Sequence, residues 1–499
     1  MTSARRRRPR VIVIGAGFGG LGAARELTRD GLADVTVLEK ADDVGGVWRD
    51  NTYPGAACDV PSHLYSYSFA RKTDWGRRYA EQSDILDYIR DTADRFGLRE
   101  LVRPGVEVTS AAYDDDSAVW RVSTSSGEVL EADVLVPAVG QLSRPAVPPI
   151  PGIETFAGPS FHSAGWRHDV DLTGKRVAVL GTGASAIQFV PRIRRNAAHV
   201  TVFQRSAPYV LPKPDRGYTD AHHTAFARVP GFAAAMRGVV WQITEFLGLA
   251  LTRVPRLARP IRAAAILNLE RHVKDPDLRA KLTPDYPIGC KRVLFSSEWY
   301  PALAEDDVEV ETDPISEVTP TGVRTADGRL HEVDVIIYGT GFKATEFLAP
   351  MQISGRHGRD LRAEWSEGAR AHLGMAVPGF PNMFMIYGPN TNLGSSSTIL
   401  MMEQQAGYIR QLVAELARRE PLRALEIRRA VEEAYDAEVQ TRLDDGVWTA
   451  CQSWYRAGSG RVTTNWPGLV REYQRRTHTV DLTSYQEVLP MTTTEEVVA

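Results

Sequence analysis

The chain has little cysteine, no clustered histidine and no long apolar run, and each shortage removes a class of function. Only three of its 499 residues are cysteine: Cys58, Cys290 and Cys451. They form no C-x-x-C pair and no metal-ligand spacing, which argues against a dithiol reductase and against a zinc site. The pattern suits a reducing cytoplasm, and Cys58 and Cys290 read as small buried packing residues. The 11 histidines include no H-E-x-x-H or similar cluster, so no metal is expected. No stretch is long and apolar enough to cross a bilayer. The most apolar candidate, residues 239–251, carries Gln242 and Glu245 between Arg237 and Arg253 and reads as an amphipathic lid helix, so no stable membrane insertion is expected. No apolar run follows the basic stretch from Arg5 to Arg10 within signal-peptide range, so no export signal is expected either. A net charge of -3 gives no drive toward nucleic acid, and the basic stretch reads as a frayed tail.

What is present is a repeated nucleotide-binding pattern. At 43% hydrophobic and 24% charged residues the composition is that of a globular protein, long enough for two or three domains. Residues 11–14 (Val-Ile-Val-Ile) form a continuous apolar run, as a buried parallel strand requires. The turn Gly15-Ala-Gly17-Phe-Gly-Gly20 follows, then a helical pattern through Leu21, Ala24 and Leu27, then a strand over 35–38 that ends at Glu39. Glycines there permit a tight turn and close approach to a pyrophosphate, and the helix N-terminus adds partial positive charge. Glu39 lies about 20 residues beyond them, where a carboxylate accepts hydrogen bonds from ribose hydroxyls.

The pattern recurs. A strand over 177–180 leads to Gly181-Thr182-Gly183-Ala-Ser185-Ala186, a helix through Ile187 and Val190, and a strand over 200–203. Gln204-Arg205-Ser206 stands where the acidic residue was. An arginine there suits a 2′-phosphate, so the second cofactor is expected to be NADPH rather than NADH. One glycine signature is weak evidence. Two of them, each in strand-turn-helix-strand context and with opposite charge at the ribose position, are strong.

A further echo supports duplication. Asp133-Val-Leu-Val136 leads to Gly140 and Asp334-Val-Ile-Ile337 leads to Gly341, each after a hairpin turn at Ser126-Gly127 or Asp327-Gly328. The stretch 145–151 is rich in proline and reads as a linker. Residues 381–388 read as a strand returning to the first domain, and a long helix follows from about 401 to 419. The expected fold is α/β, with two Rossmann-like dinucleotide-binding domains. Residues 1–145 form the first part of an FAD domain. Residues 146–345 form an NADPH domain with a helical insertion at about 213–286. Residues 346–499 return to the FAD domain and carry a packed, aromatic-rich C-terminal segment.

Between the two signatures lies Phe156-Ala-Gly158-Pro-Ser-Phe-His162-Ser-Ala-Gly-Trp166. This stretch resembles the fingerprint F-x-G-x-x-x-H-x-x-x-W of Baeyer–Villiger monooxygenases, a group of class B flavoprotein monooxygenases. Two further motifs are similar to that family: Gly46-Val47-Trp48 with Tyr53-Pro54-Gly55, Asp59 and the stretch from Tyr65 to Phe69, and Cys290-Lys291-Arg292. The resemblance covers roughly residues 10–480. It departs from the family at Arg167, where proline or aspartate is common, and at Ala138-Val139-Gly140, where Ala-Thr-Gly is common.

The resemblance implies an FAD enzyme that uses NADPH and O2 to turn a small-molecule ketone into an ester or lactone through a flavin C4a-peroxide. That peroxide must stay anionic to attack a carbonyl, and a fixed cation beside it favours the anion. A guanidinium suits the task better than an ammonium. The resemblance assigns this role to Arg292, oriented by Asp59. It assigns Lys291, Arg205 and Ser206 to NADPH, and adds Gly46, Val47, Trp48, Tyr65 and Val108 to the cofactor contacts. His162 and Trp166 then belong to a hinge that couples domain motion to cofactor binding, rather than to acid–base catalysis. The alternative is an N- or S-oxygenating flavin monooxygenase, against which Trp166, Asp59 and Arg292 together count. Trp241, Phe246, Leu247, Trp448 and Trp454 fit core packing or a substrate pocket equally well. The identity of the ketone and the oligomeric state stay open.

Overall fold

The computed structural model describes residues 8–419 and 424–491. Most of the basic N-terminal stretch therefore lies outside the described residues; Arg8 lies 3.7 Å from Asp34.

Two parallel sheets carry the two glycine turns. The first has the order Val102–Arg103, Asp34–Leu38, Arg10–Ile14, Val134–Pro137. The second has the order Val308–Glu311, His199–Phe203, Arg176–Leu180, Val335–Tyr338, Ser160–His162. Their strands are nearly continuous valine, isoleucine and leucine because both faces of each sheet are covered, by helices on one side and an antiparallel layer on the other. Val13, Val37, Val134, Val177 and Val200 are completely buried.

The duplication is visible at the level of single hydrogen bonds. The N–H of Gly15 donates to the carbonyl of Leu38, and that of Gly181 to the carbonyl of Phe203. Both glycines have φ near +100°, and a Cβ on either would sit 2.8 or 2.6 Å from the carbonyl oxygen of Ala138 or Gly339. No other residue fits such a turn. At the opposite end of each sheet, Asp133 accepts from the backbone N–H of Arg10 at 2.7 Å and Asp334 from that of Arg176 at 2.8 Å. Each arginine side chain then pairs back onto the same carboxylate, at 3.1 and 3.0 Å. The two aspartates that open the repeated closing strands are thus strand clamps.

The helix Phe18–Thr28 follows the first turn and Ala186–Ile193 the second. An antiparallel layer of Val108–Asp114, Val119–Thr124 and Val129–Ala132 flanks the first sheet, and Gln352–Ser354 joins its edge. Residues 381–388 lie beside Val134–Pro137 through three backbone hydrogen bonds, but make only one bridge, at Met383, and no regular strand. The proline at 381 and the positive φ of Asn382 and Tyr387 interrupt the ladder. The helix Thr398–Leu416 packs on Phe18–Thr28 and completes this core. Four helices, Asp220–Arg228, Phe232–Thr252, Pro255–His272 and Pro276–Lys281, stand between the third and fourth strands of the second sheet in chain order, His199–Phe203 and Val308–Glu311. No helix among the described residues is long and apolar enough to cross a membrane.

The cysteines depart from the expectation of three unpaired thiols. Cys290 and Cys451 form a disulfide across 161 residues, and Cys58 alone is free. Cysteine spacing gave no hint of it, because the pairing exists only after the C-terminal segment folds back onto the end of the helical insertion. Cys58 is the buried packing residue that was expected: burial first, then the charge of Asp59, pushes its thiol up to about 12.

Candidate active site

One cavity of about 1260 Å³ runs between the two sheets and meets both glycine turns. Its wall on the first side includes Gly15, Gly17, Glu39, Gly46, Val47, Trp48, Asp59, Tyr65 and Val108. On the second side stand Gly181, Thr182, Gly183, Ser185, Arg205, Ser206, Lys291 and Arg292. Residues more than 200 positions apart in sequence therefore share one cleft. Gly20 and Ala186 do not line it. A Cβ on Gly20 would overlap the carbonyl of Gly15, and Ala186 is fully buried against Gly339. Both serve close packing of helix on turn.

The first side suits a dinucleotide whose ribose needs an acceptor. Gly17 and Gly46 bring two stretches of bare backbone together, so that a Cβ on Gly46 would lie 3.2 Å from the Gly17 Cα. Glu39 is held rigidly: one carboxylate oxygen accepts from Ala16 N–H at 2.8 Å, the other from Ala41 N–H at 3.0 Å, and Arg49 lies 3.4 Å away. The indole N–H of Trp48 donates to the Tyr65 hydroxyl at 3.0 Å and fixes both rings on the cleft wall.

The second side is cationic where the first is anionic. Lys291 Nζ donates to Ser206 Oγ at 2.7 Å. Burial first, and then the nearby Arg205, lowers the Lys291 ammonium below its ordinary value. The Thr182 hydroxyl donates to the carbonyl of Ser206 at 3.2 Å and ties the turn to this cluster. These donors match a phosphate monoester beside a glycine turn.

Arg292 crosses the cleft. Its Nη2 reaches Asp59 Oδ1 at 2.7 Å and Oδ2 at 2.8 Å, while its buried Nε has no hydrogen-bond partner. The carboxylate, above all other influences, raises the guanidinium still further above its ordinary value, so it is a permanent charge. Behind it lies a buried polar chain that the sequence did not disclose. The Tyr387 hydroxyl donates to Asn392 Oδ1 at 2.6 Å, and Asn392 Nδ2 donates to Asn465 Oδ1 at 2.8 Å. Asn392 is 4% and Asn465 1% exposed, so this chain is fixed. It joins the cleft floor to the C-terminal segment. Asparagine in a loop reads as turn chemistry, which is why only the folded chain identifies it.

The motif Tyr53-Pro54-Gly55 explains itself as a contact between the two halves. Gln188, on the second half's helix, accepts from the Tyr53 hydroxyl at 3.0 Å and donates to the carbonyl of Ala57 at 2.9 Å. A Cβ on Gly55 would lie 2.9 Å from the Gln188 carbonyl oxygen.

The Phe156–Trp166 stretch does not border the cavity. Phe156 packs with Ile150 and Ile153 under the second sheet, and Trp166 meets Phe161 and Phe189 edge-on or tilted at 5.3 and 5.4 Å. A Cβ on Gly158 would lie 2.4 Å from the Asp334 carbonyl oxygen. His162 Nδ1 accepts from Ala164 N–H at 3.1 Å, which leaves Nε2–H to donate to the Gly341 carbonyl at 2.9 Å. Trp448 is buried; Trp454 is 38% exposed and lines the cleft, whereas Phe246 faces solvent. Glu309 and Glu311, on the edge strand of the second sheet, gather with His331 on the strand Leu330–Glu332 of a neighbouring antiparallel sheet, with Arg329 already bonded to Glu309 at 2.7 Å.

With this geometry in hand, comparisons place the chain among known proteins. Residues 8–229 match the flavin-binding monooxygenase-like family model. A Baeyer–Villiger monooxygenase of Streptomyces coelicolor is 46% identical over 96% of this chain and 93% of the relative. A Baeyer–Villiger monooxygenase of Pseudomonas aeruginosa is 42% identical over 97% and 92%. Among solved structures, steroid monooxygenase bound to NADP superposes with a TM-score of 0.84 at 32% identity, covering 97% of this chain and all of that one. Closed cyclohexanone monooxygenase does so with a TM-score of 0.86 at 29% identity, over 97% and 99%. The OTEMO complex with FAD and NADP reaches a TM-score of 0.87 at 27% identity, over 96% and 100%.

Proposed function

The chain belongs to the Baeyer–Villiger family of flavin-binding monooxygenases, and from that membership we propose how its cleft performs the reaction. It is an FAD-containing, NADPH-dependent enzyme that uses O2 to insert one oxygen atom beside a ketone carbonyl, giving an ester or lactone and water. When bound, FAD supplies the electron transfer from NADPH to oxygen. The chain's own residues supply binding, orientation and charge.

Glu39 and the Gly17–Gly46 backbone would hold the ribose and pyrophosphate of FAD at the first glycine turn, with Trp48, Tyr65 and Val108 against its body. Arg205, Lys291 and Ser206 would hold the 2′-phosphate of NADPH at the second. Arg292 would act between the two cofactors. Its charge stabilises negative charge developing on oxygen, and Asp59 holds the guanidinium in place through both carboxylate oxygens. We divide the chain into 1–145, 146–345 and 346–499 around these two sites, with the end of the insertion reaching the cleft at Tyr286. The Phe156–Trp166 stretch acts as a hinge between them. We place the reaction in the cytoplasm, where NADPH is regenerated.

The observation that carries this reading is the Asp59–Arg292 pair closing a cleft that touches both glycine turns. The test offers the purified flavoprotein, with NADPH and air, a cyclic ketone, an amine and a sulfide in parallel. Ester or lactone from the ketone is expected. Turnover of the amine alone would overturn the reading in favour of an N-oxygenating enzyme.

A further inference from the structure

Among the described residues, six of the twelve exposed large apolar side chains fall within residues 229–267 of the helical insertion. Four of them, Phe232, Val239, Ile243 and Phe246, lie on the helix Phe232–Thr252 at 39%, 55%, 50% and 54% exposure. With the exposed Ala235 and Gln242, their spacing of three or four residues makes one stripe about 21 Å long along the solvent side. The opposite side of the same helix is already satisfied. Val240 is in the main core with Met236 and Trp241 against it, and Thr244 and Glu245 are buried. The stripe is therefore not core that failed to pack. It is a second apolar face that the described residues leave exposed.

Charge around the stripe has one sign. Residues 228–269 contain six arginines and a single acidic residue, Glu245. Glu245 is turned inward, accepting from Val470 N–H at 2.8 Å and from Arg471 Nε at 3.2 Å. Arg228 before the helix, and Arg256, Arg259 and Arg262 after it, are exposed, while Arg253 is engaged by the Pro467 carbonyl and Glu472. Both ends of the stripe are therefore basic. A second copy of this chain packed symmetrically and antiparallel on the stripe would bring Arg228 of one toward the Arg256 end of the other, basic end on basic end. A surface carrying negative charge beside an apolar phase complements all of these features at once.

We propose that this face docks the enzyme on the surface of an anionic lipid bilayer, with Phe232, Val239, Ile243 and Phe246 at the acyl boundary and the flanking arginines on lipid phosphates. The helix lies on the membrane and does not span it. None of its residues borders the catalytic cleft, but it packs behind residues that do. The hydroxyls of Thr244 and Ser396 are 2.9 Å apart, and Ser396 lines the cavity. At its far end, a Cβ on Gly289, two residues from Lys291, would lie 2.6 Å from the Leu251 carbonyl oxygen. Docking thus holds the cleft at the bilayer, and it does so whatever the substrate proves to be.

The test is co-sedimentation of the full-length holoenzyme with sucrose-loaded phosphatidylcholine vesicles, with and without phosphatidylglycerol. Binding is expected only to the anionic vesicles, and it should fall as salt is raised. The triple variant Val239→Ser, Ile243→Ser, Phe246→Ser should lose at least about tenfold in partition coefficient, with flavin content and circular dichroism unchanged. Arg256→Gln with Arg259→Gln should remove the preference for phosphatidylglycerol. Absence of binding to anionic vesicles, or binding undiminished in the triple variant, would overturn the proposal. So would a dimer seen by analytical ultracentrifugation without lipid that the triple variant abolishes, because the face would then be an interface between copies.

Discussion

A single nitrogen of Arg292 straddles the carboxylate of Asp59, 2.7 Å from one oxygen and 2.8 Å from the other. A lysine ammonium would spend two of its three donors on this carboxylate, whereas the guanidinium keeps three of its five N–H groups. Arg292→Ala and Arg292→Lys should each lower kcat for ketone oxygenation about 10²–10³-fold, the cost of removing one preorganised charge donor. Asp59→Ala should lower it less, because the charge remains but loses its orientation. Steady-state kinetics with parallel measurement of hydrogen peroxide release checks this. NADPH consumption should continue with more peroxide formed per ketone converted. An Arg292→Ala enzyme with unchanged kcat would remove the arginine from its proposed role.

If the second cationic cluster holds the 2′-phosphate, as proposed, it sets the choice of nicotinamide cofactor. Arg205 borders the cleft beside Ser206, which Lys291 holds at 2.7 Å. Arg205→Ala should cut kcat/KM for NADPH about 10–100-fold, as expected for one charge-assisted phosphate contact, and leave the value for NADH nearly unchanged. Comparing the two cofactors on one enzyme preparation separates this effect from general damage.

These sites differ in how far the sequence alone exposes them. Gly15 and Gly181 are legible because a tight turn after a buried strand is a local demand, satisfied within a few residues. Glu39 and Arg205 are legible because the strand that follows fixes where the ribose falls. Asp59 and Arg292 are legible only through their motifs, since 233 residues separate them. The Asn392–Asn465 link and the Cys290–Cys451 bond have no local signature, because each joins the C-terminal segment to a loop that only the finished fold brings near. Residues 239–251 read as an amphipathic helix, but which of their apolar side chains are buried is not legible: Val240 enters the core while Val239, Ile243 and Phe246 stay exposed, and only tertiary packing decides.

The disulfide makes a direct prediction. Denatured, unreduced protein should react with one thiol reagent per chain, from Cys58, rather than three. Cys451→Ser should lower unfolding stability by about 2–4 kcal/mol, because the bond closes a long loop in the unfolded chain. Chemical denaturation with and without reductant measures it. Three reactive thiols in the oxidised enzyme would show the bond to be absent.

Acid should weaken the fold through a buried histidine. His63 is 6% exposed, lies 4.3 Å from Phe226 and has an unpartnered Nε2. Burial first, and then Arg237, lowers it from 6.5 to about 4. The folded state holds it neutral, whereas the unfolded chain takes up a proton below its ordinary value. Its contribution is therefore complete above pH 6.5 and is lost as pH falls from 6.5 toward 4, to about 3 kcal/mol in the limit. His63→Phe should flatten the fall of Tm across that window. An unchanged slope would mean the acid sensitivity arises elsewhere.

His162 titrates in the same sense, yet its position argues for mechanics rather than proton transfer. Nδ1 accepts from Ala164 N–H and Nε2 faces the Gly341 carbonyl, so both ring nitrogens are engaged by backbone and neither reaches the cleft. Burial lowers its pKa, which keeps it neutral at physiological pH. The ring ties the strand Ser160–His162 to the glycine that closes the second nucleotide unit. A general acid or base at this position would own one limb of the pH–rate profile. A hinge would own none. His162→Gln should therefore lower kcat while leaving the apparent pKa values of the profile in place, and it should weaken NADPH-dependent protection of the 153–166 stretch in hydrogen exchange. Loss of a limb in that variant would make His162 catalytic; an unchanged kcat and unchanged exchange would leave it a packing residue.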